Sequence, residues 1–451
     1  MMGQQQSGQE RLFYSFNLED HIPQNHLLRG IDRVLDFSKL RRHLAPFYSH
    51  TGRPSIDPEL MLRMLLVGYC FGIRSERRLC EEVHLNLAYR WFCRLGLEDR
   101  VPDHSTFTKT RYGRFRESAL YRVLFEDIVS RCRAADLVGE QGFAVDGSFV
   151  HADARRDRRV ETMATLQHTA DLNARPVQEY LAMLETGNPV HEGDAKYLSP
   201  TDPSAAWNTK EGKGRFGYFT NYLVDTDHAI IVEVEATPAR ISQEIRATKI
   251  MLDRIENKHG IKPAHLAADK AYGTGPFLAW LQDRNIVQHI PVLDRQRQSD
   301  GLFPRDAFTY DQQHDRYVCP QGKVLKHRTA CASTRLHTYR AISSDCRTCP
   351  IQSRCTRGKQ RTLSVPFDDA IRQQVIAQQH TDAFGRSQRF RKKVEMLFGH
   401  MKQQFRFTRL KLRGLADATE EFLLIATVQN LRRLLRLRPP DIPIPRPTAF
   451  I

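Results

Sequence analysis

The sequence lacks any apolar run long enough to cross a lipid bilayer. The longest uninterrupted run extends only from Met64 to Ile73, whereas a membrane-spanning helix needs about 20 such residues. The first residues, MMGQQQSGQE, also lack the basic and then apolar segments of a secretory signal peptide. Both absences argue against a membrane protein and against an exported one, and we expect a soluble protein of the cytoplasm.

The sequence is also poor in acidic residues relative to basic ones. Its 68 Lys and Arg outnumber its 52 Asp and Glu, which gives a formal net charge of +16 and a pI near 9.5. Much of this excess is local, because residues 381–438 hold 14 basic and 5 acidic residues, a difference of +9. A phosphate-binding surface requires such an excess, although a solvated basic helix has the same composition. Charge therefore indicates a polyanionic partner without identifying it.

The nine cysteines are expected to be reduced thiols, because the chain has no export signal. Cys346-Arg-Thr-Cys349, then Cys355, with Cys319 upstream, have the spacing of a four-thiolate zinc site. Such a site would staple a segment too small to form its own core. Unligated thiols and an iron–sulfur cluster are the alternatives. The residues that could replace Cys319 as a ligand are Cys331, His327 and His337.

The pattern changes near Gly142 from helices to strands. Residues 27–137 have helical periodicity, with start signals at Asp57-Pro58 and at Asp103, Ser105 or Thr106. After Gly142, strands come first and then alternate with helices, which predicts a mixed α/β sheet. The predicted strands are 143–149, 216–224, 230–235, 264–268 and 287–292, and the predicted helices are 241–259, 276–284 and 384–405.

A chain of 451 residues is too long for one compact core, so two or three domains are expected. The predicted segments are a helical N-terminal domain for DNA binding and dimerisation (1–140), the first part of an α/β catalytic domain (141–293), a Cys-rich insertion (294–378), a catalytic helix with a C-terminal helix (379–438) and a proline-rich tail (439–451).

Three carboxylates occupy positions that suit catalysis. Asp146 follows the apolar run Phe-Ala-Val, and Asp269 follows His-Leu-Ala-Ala. The ends of strands are where open α/β sheets carry active-site groups. Glu395 lies on the helix predicted at 384–405. Taken singly, each acid is explained equally well by a turn after a strand or, for Glu395, by an ion pair with Arg391 at i,i+4.

The helix that carries Glu395 has two distinct faces. Its apolar stripe consists of Val394, Leu397, Phe398, Met401 and Phe405. At 3.6 residues per turn, Gln388, Arg391, Glu395, Gly399 and Lys402 share another face. The glycine costs the helix about 1 kcal/mol relative to alanine. We therefore expect something to approach the backbone at that point, and a DNA strand qualifies.

These residue types suit the cleavage of phosphodiesters. Two divalent ions about 4 Å apart can activate an oxygen nucleophile and stabilise the leaving oxygen. Hard cations such as Mg²⁺ take oxygen ligands, so carboxylates should hold them. Arg391 and Lys402 would then bind phosphates rather than exchange protons.

Several segments resemble the DDE transposases of bacterial insertion sequences, in particular the eleven-eighty-two group and its relatives in the four and five groups. The similar segments are GRPSIDPELMLRMLLVGYCFGIRSERRLCEEV (52–83), AVDGSFVHADA (144–154), FGYFTNYLVDTDHAIIVEVEATPA (216–239) and AADKAYG (267–273). Arg391, Glu395 and Lys402 match the spacing of a motif of these transposases, in which tyrosine is usual where this chain has Gln388. The resemblance covers most of residues 40–435.

The resemblance implies an RNase H-like catalytic fold, a mixed sheet flanked by helices, in which Asp146, Asp269 and Glu395 hold two Mg²⁺ or Mn²⁺ ions. It also implies that a homodimer or larger synaptic complex acts on the terminal inverted repeats of an element and on target DNA, in the bacterial cytoplasm at the nucleoid. A catalytically silent DNA-binding descendant and an RNase H-like nuclease or resolvase are the alternatives. The candidate DNA-binding residues are Arg391, Lys392, Lys393, Lys402, Arg406, Arg409, Lys411 and Arg413.

Overall fold

The computed structural model describes residues 15–48, 51, 55–139, 141–186, 196–209, 212–239, 243–292 and 301–438. The predicted proline-rich tail, 439–451, lies outside these residues. The contacts divide the chain into two compact units. Unit 1 comprises the described residues up to Leu137, then Phe149–Tyr218 and the residues from Leu397 onward. Unit 2 comprises Val138–Ser148 and Phe219–Met396. The five-segment division made from the sequence stays a prediction.

Unit 1 is mainly helical. Its helices are α1 (Leu18–His21), α2 (Leu27–Val34), α3 (Ser38–Leu44), α4 (Pro58–Cys70), α5 (Glu76–Leu85), α6 (Leu87–Phe92), α7 (His104–Thr110), α8 (Leu120–Ala134), α9 (Met163–Thr169), α10 (Arg175–Glu185) and α17 (Leu415–Leu437). The predicted caps are confirmed: the side chain of Asp57 accepts from the N–H of Glu59 at 2.8 Å, and that of Asp103 from the N–H of Ser105 at 2.8 Å. The described helices include none long and apolar enough for a membrane span.

A buried carboxylate anchors α17 within unit 1. Glu421 is fully buried, and its side chain accepts from the guanidinium of Arg74 and from the backbone N–H groups of Lys411 and Leu412, each at 2.7 Å. Burial raises the pKa of Glu421, but Arg74, Arg111 and the N–H donors outweigh it and hold the pKa below its ordinary value. The carboxylate is therefore ionised at neutral pH. Removing it would leave buried donors unpaired.

The main sheet of unit 2 is mixed. Its strands are β1 (Gly142–His151), β3 (Arg215–Asp225), β4 (Ile231–Pro238), β5 (His265–Ala267) and β6 (Val287–His289), and the order is β4-β3-β1-β5-β6. Strands β1, β5 and β6 are parallel. Hydrogen bonds join Thr226 to Gly142 and Ala152 to Phe216, so β3 runs antiparallel to β1. A short strand, β2 (Ala206–Asn208), pairs with the start of β3 in unit 1.

Helices cover this sheet and connect its strands. Helix α11 (Gln243–His259) packs on β4, and α12 (Gly275–Asp283) packs on β6 and on α15 (Asp369–Gln378). The alternation of strand and helix expected from the sequence is confirmed here. Strands β3 and β4 are joined by a turn in which the buried carboxylate of Asp225 accepts from the N–H of His228 at 2.6 Å.

The Cys-rich segment has a fold that the sequence analysis did not predict. It contains a second, antiparallel sheet in the order β11-β10-β9-β8-β7. The strands are β7 (Thr309–Asp311), β8 (Arg316–Val318), β9 (Val324–Cys331), β10 (Leu336–Arg340) and β11 (Thr362–Pro366), with short helices α13 (Ser343–Arg347) and α14 (Gln352–Cys355). Its own buried cluster includes Phe308, Leu325 and Leu363. The expectation of a segment too small to form a core was wrong.

Candidate active site

Asp146 on β1 and Asp269 just after β5 lie at matching positions along two neighbouring parallel strands. In the register of β1 with β5, Ala144 is opposite Ala267. Asp146 comes two residues after Ala144, and Asp269 comes two residues after Ala267. The strand pairing therefore brings the two aspartates to neighbouring positions. Asp146 is not at a strand end, as the sequence suggested, because β1 continues to His151. The apolar run that precedes it is only the first half of a strand whose second half is also largely buried.

A single arginine side chain, Arg391, bridges Glu395 and Asp146. Helix α16 (Asp382–Gln403) carries both Arg391 and Glu395. The Arg391 guanidinium donates from Nη1 to Asp146 Oδ2 at 3.0 Å and from Nη2 to Glu395 Oε1 at 2.7 Å. The Glu395 side chain is 52% exposed, against 21% for Asp146. The simple ion pair between Arg391 and Glu395 therefore exists, and it extends to the catalytic candidate on β1.

The electrostatics join all three carboxylates in one site. Burial raises the pKa of Asp146, and the charges of Asp269 and Glu395 raise it further, while the N–H of Gly147 and the Arg391 guanidinium oppose them. The Gly147 N–H donates to Asp146 Oδ1 at 2.8 Å. Asp269 Oδ1 accepts from the N–H of Ala271 at 2.7 Å, which caps a short 3-10 turn. Three carboxylates thus repel one another around a place where a cation would be stabilised.

The sequence analysis missed two residues next to this site. Glu244, buried on α11, lies so close to Gly147 that a Cβ there would meet its Oε1 at 3.2 Å. The Tyr272 hydroxyl is buried and has no hydrogen-bond partner among the described residues. Burial raises the pKa of Tyr272 far above its ordinary value, and Glu244, Asp146 and Asp269 add to the effect. No local motif marks Glu244, and Tyr272 lies in the AADKAYG segment without a feature that singles it out; only the tertiary fold shows that both are next to the site.

The candidate metal ligands suit a hard divalent cation by their chemistry. All three offer carboxylate oxygens, and burial together with the charges of Asp269 and Glu395 raises the pKa of Asp146. The positive charge of the Arg391 guanidinium, which bridges the first and third acids, partly balances them. Across the described residues, no group of three or more His, Cys, Asp or Glu side chains is arranged to hold a metal ion. Binding a cation would therefore require Glu395 to exchange Arg391 for the metal.

The candidate DNA-binding residues differ in their surroundings. In unit 2, Lys392 is exposed, whereas the Lys393 ammonium donates to the carbonyls of Thr226 and Asp227 at 2.5 and 2.8 Å. In unit 1, Arg413 pairs with Asp153 at 2.8 Å. Lys402 is half-buried. The remaining exposed members in unit 1 are Arg406, Arg409 and Lys411.

An open cavity of about 820 Å³ in unit 2 begins at the residues that directly follow Asp269. Its basic lining residues are Lys270, Arg305, Arg357, Arg361 and Arg372. Asp369 also lines it and pairs with Arg305 at 2.5 Å. Arg361 donates to the carbonyls of Cys355 and Phe303 at 2.6 and 2.8 Å. The cavity is therefore strongly basic and continuous in sequence with the second catalytic candidate.

Four of the five clustered cysteines line one small cavity. They are Cys319, Cys346, Cys349 and Cys355. The Lys323 N–H donates to the Cys319 sulfur at 3.3 Å, in a turn closed by Gly322 at φ +73°. Burial raises the pKa of the Cys355 thiol, with further contributions from the other three thiols. His327 and His337 contact each other at 3.2 Å and do not line this cavity, so they do not replace Cys319.

Two family models match separate parts of the chain. Residues 16–112 match a family model described as a transposase domain, and residues 318–435 match one described as a transposase DDE domain. Curated proteins provide no match. Among solved structures, the chain is similar to a piggyBac transposase synaptic complex with hairpin DNA, at 10% identity and a TM-score of 0.32, over 92% of this chain and 82% of that one. The chain is therefore similar to transposases near its start and to the DDE domain of transposases over the segment that includes Glu395.

Proposed function

We propose that this protein is a transposase, which binds the terminal inverted repeats of an insertion sequence and cleaves and transfers DNA strands with Asp146, Asp269 and Glu395. The observation that carries the assignment is the register of β1 with β5, which sets the two aspartates side by side. The double ion pair of Arg391 with Asp146 and Glu395 then brings the third acid to them. Only Glu395 lies in a matched family segment, so the aspartates depend on this geometry and on resemblance.

The catalytic domain is proposed to be RNase H-like. Its support is the strand order β4-β3-β1-β5-β6, with β3 antiparallel to β1 and with β5 and β6 parallel to it. In chain order this is an antiparallel meander followed by two parallel strands added on the other side of β1. The arrangement leaves β1 and β5 adjacent at the centre, where their side chains can share one site.

Two Mg²⁺ or Mn²⁺ ions, when held by the three carboxylates, would activate an oxygen nucleophile and stabilise the leaving oxygen. The chain's own residues prepare this site. Burial of Asp146 and its short bond from the Gly147 N–H fix one ligand, and the turn at Ala271 fixes Asp269. Arg391 offsets part of the negative charge of Asp146 and Glu395, and its fork geometry suits a phosphate once a cation balances these acids.

The DNA is proposed to follow two basic surfaces. One is the cavity that begins at Lys270, where phosphates of a strand would lie next to Asp269. The other is the exposed basic stretch of unit 1, which consists of Arg406, Arg409 and Lys411. Two inverted repeats must be brought together for strand transfer, so the active form is proposed to be a homodimer or larger assembly.

A separate proposal is that the four cysteines hold a structural zinc ion. Its support is that all four line one cavity, with a backbone N–H already donating to Cys319. Zinc would draw the sulfurs together. Protein prepared without tag histidines should contain one zinc per chain, Cys346→Ser should lower it, and Cys331→Ser should not. Absence of stoichiometric zinc, or an iron–sulfur absorption spectrum, would contradict the proposal.

The triad is tested by removing one charge at a time. Asp146→Asn, Asp269→Asn and Glu395→Gln should each lower Mg²⁺-dependent cleavage of an inverted-repeat substrate by at least about 1000-fold, a loss like that of other essential catalytic groups. Binding to the same DNA should stay within about twofold. Full strand transfer by any variant would remove that residue from the triad. Binding without cleavage in the unchanged chain would favour a catalytically silent descendant, and cleavage independent of inverted repeats a general nuclease.

A further inference from the structure

Two backbone carbonyls at the ends of β5 and β6 share one side-chain donor. Gln388 on α16 donates from Nε2 to the carbonyl of Ala268 at 3.3 Å and to that of His289 at 2.5 Å. Ala268 directly precedes Asp269, and His289 is the last residue of β6. An amide nitrogen has two hydrogens, so one glutamine can satisfy both carbonyls, whereas a phenol has only one hydrogen to donate. Transposases that resemble this chain usually have tyrosine here.

The neighbouring residues of α16 hold the same strand end. The Ser387 hydroxyl contacts His289 Nδ1 at 2.7 Å, with both residues buried. Phe384 packs edge-on against the His289 ring at a centroid distance of 5.6 Å. Burial and the nearby His265 lower the pKa of His289 to about 4, so the ring is neutral at physiological pH. These contacts therefore fix the N-terminal part of α16, both in its rotation about the helix axis and in its position along that axis.

The helix transmits that position to the catalytic acid. Glu395 follows Gln388 by seven residues, which is two turns or about 10 Å along the axis, on nearly the same face. Arg391 lies between them and contacts Asp146. We propose that Gln388 is a positioning residue. By bridging the carbonyls of Ala268 and His289, it sets where Glu395 lies along and around the axis of α16 relative to Asp269. This inference rests on the proposed triad.

The test separates positioning from general stability. Gln388→Met keeps the size of the side chain but removes both donors. We expect cleavage to fall about 10- to 100-fold, as for a misplaced catalytic group. Mn²⁺ affinity, measured without DNA by calorimetry, should weaken at least fivefold, while inverted-repeat binding and the midpoint of thermal unfolding stay close to those of the unchanged protein. Gln374→Met is the matched control, because Gln374 is an exposed glutamine of unit 2 whose side chain accepts a hydrogen bond from the side chain of Gln282.

Gln388→Glu provides a second variant of the same shape. An ionised carboxylate cannot donate to carbonyls, whereas a protonated one donates a single bond. The ratio of its cleavage rate to that of the unchanged chain should therefore fall as pH rises from 5 to about 8. Unaltered Mn²⁺ binding in both variants, or equal loss in Gln374→Met, would overturn the inference. If the unchanged chain neither binds Mn²⁺ nor cleaves, the proposed function fails instead.

Discussion

Glu420 in unit 1 carries a carboxyl group that the fold keeps protonated at neutral pH. Burial and the charge of Asp417 raise its pKa to about 8, against the opposing effect of Arg116 and Arg111. Its Oε2 has no hydrogen-bond partner among the described residues. The adjacent Glu421 has the opposite environment, with a lowered pKa and several donors. Two successive acids on α17 therefore contribute to stability with opposite dependence on pH.

Replacing Glu420 tests the sign of this effect. The unfolded chain releases the Glu420 proton near pH 4.5, whereas the folded chain keeps it up to about pH 8. Between these values the unfolded state binds fewer protons, so Glu420 costs stability as pH rises. Glu420→Gln should stabilise unit 1 by more than about 1 kcal/mol at pH 8, and by little at pH 4.5. Urea unfolding at both pH values measures this, and an equal effect at both would contradict the buried, shifted carboxyl.

At the residue scale, the sequence could suggest the three catalytic acids but could not show that they lie close together in the fold. Asp146, Asp269 and Glu395 are each ordinary acids in sequence, and resemblance selected them. Their proximity depends on the pairing of β1 with β5 and on the rotation of α16, which are tertiary features. Glu244 is missed for the same reason, since nothing local distinguishes it from any other acid in the first turn of a helix.

At the scale of a secondary-structure element, helix α16 shows that hydrophobic periodicity correctly predicts which side chains are buried. All five residues of its predicted apolar stripe are buried, because a 3.6-residue period directly reports which face meets the core. The second sheet was missed for the converse reason. Two of its strands, β7 and β8, have only three residues each, too few for an alternating pattern to be recognised.

Gly399 provides a test on the polar face of α16. A Cβ built at Gly399 would meet nothing within 4 Å, so alanine fits without displacing any neighbour. Gly399→Ala should therefore stabilise the protein by about 1 kcal/mol through helix propensity. If DNA approaches the backbone there, the same methyl group should weaken inverted-repeat binding severalfold. Thermal unfolding and a binding titration on one preparation separate the two effects. A more stable variant with undiminished binding would mean that the glycine has no role in DNA approach.

At the scale of the whole molecule, the net charge of +16 is concentrated where the proposed DNA path requires it. Residues 381–438, which include the basic stretch, account for +9 of this charge by sequence. The cavity next to Asp269 adds a second basic surface whose lining residues are far apart in the chain, from Lys270 to Arg372. The first surface could be predicted from composition, and the second could not, because folding alone brings its arginines together.

Salt dependence distinguishes these surfaces from incidental positive charge. Each phosphate contact to duplex DNA contributes about 0.9 to the slope of log binding constant against log salt. Arg409→Ala, in the basic stretch, and Arg357→Ala, in the cavity, should each weaken inverted-repeat binding and lower that slope by about 0.9. Lys262→Ala is the control, because Lys262 is exposed but outside both surfaces, and its slope should not change. If Arg357→Ala leaves the slope unaltered while Arg409→Ala lowers it, DNA follows the basic stretch and does not enter the cavity.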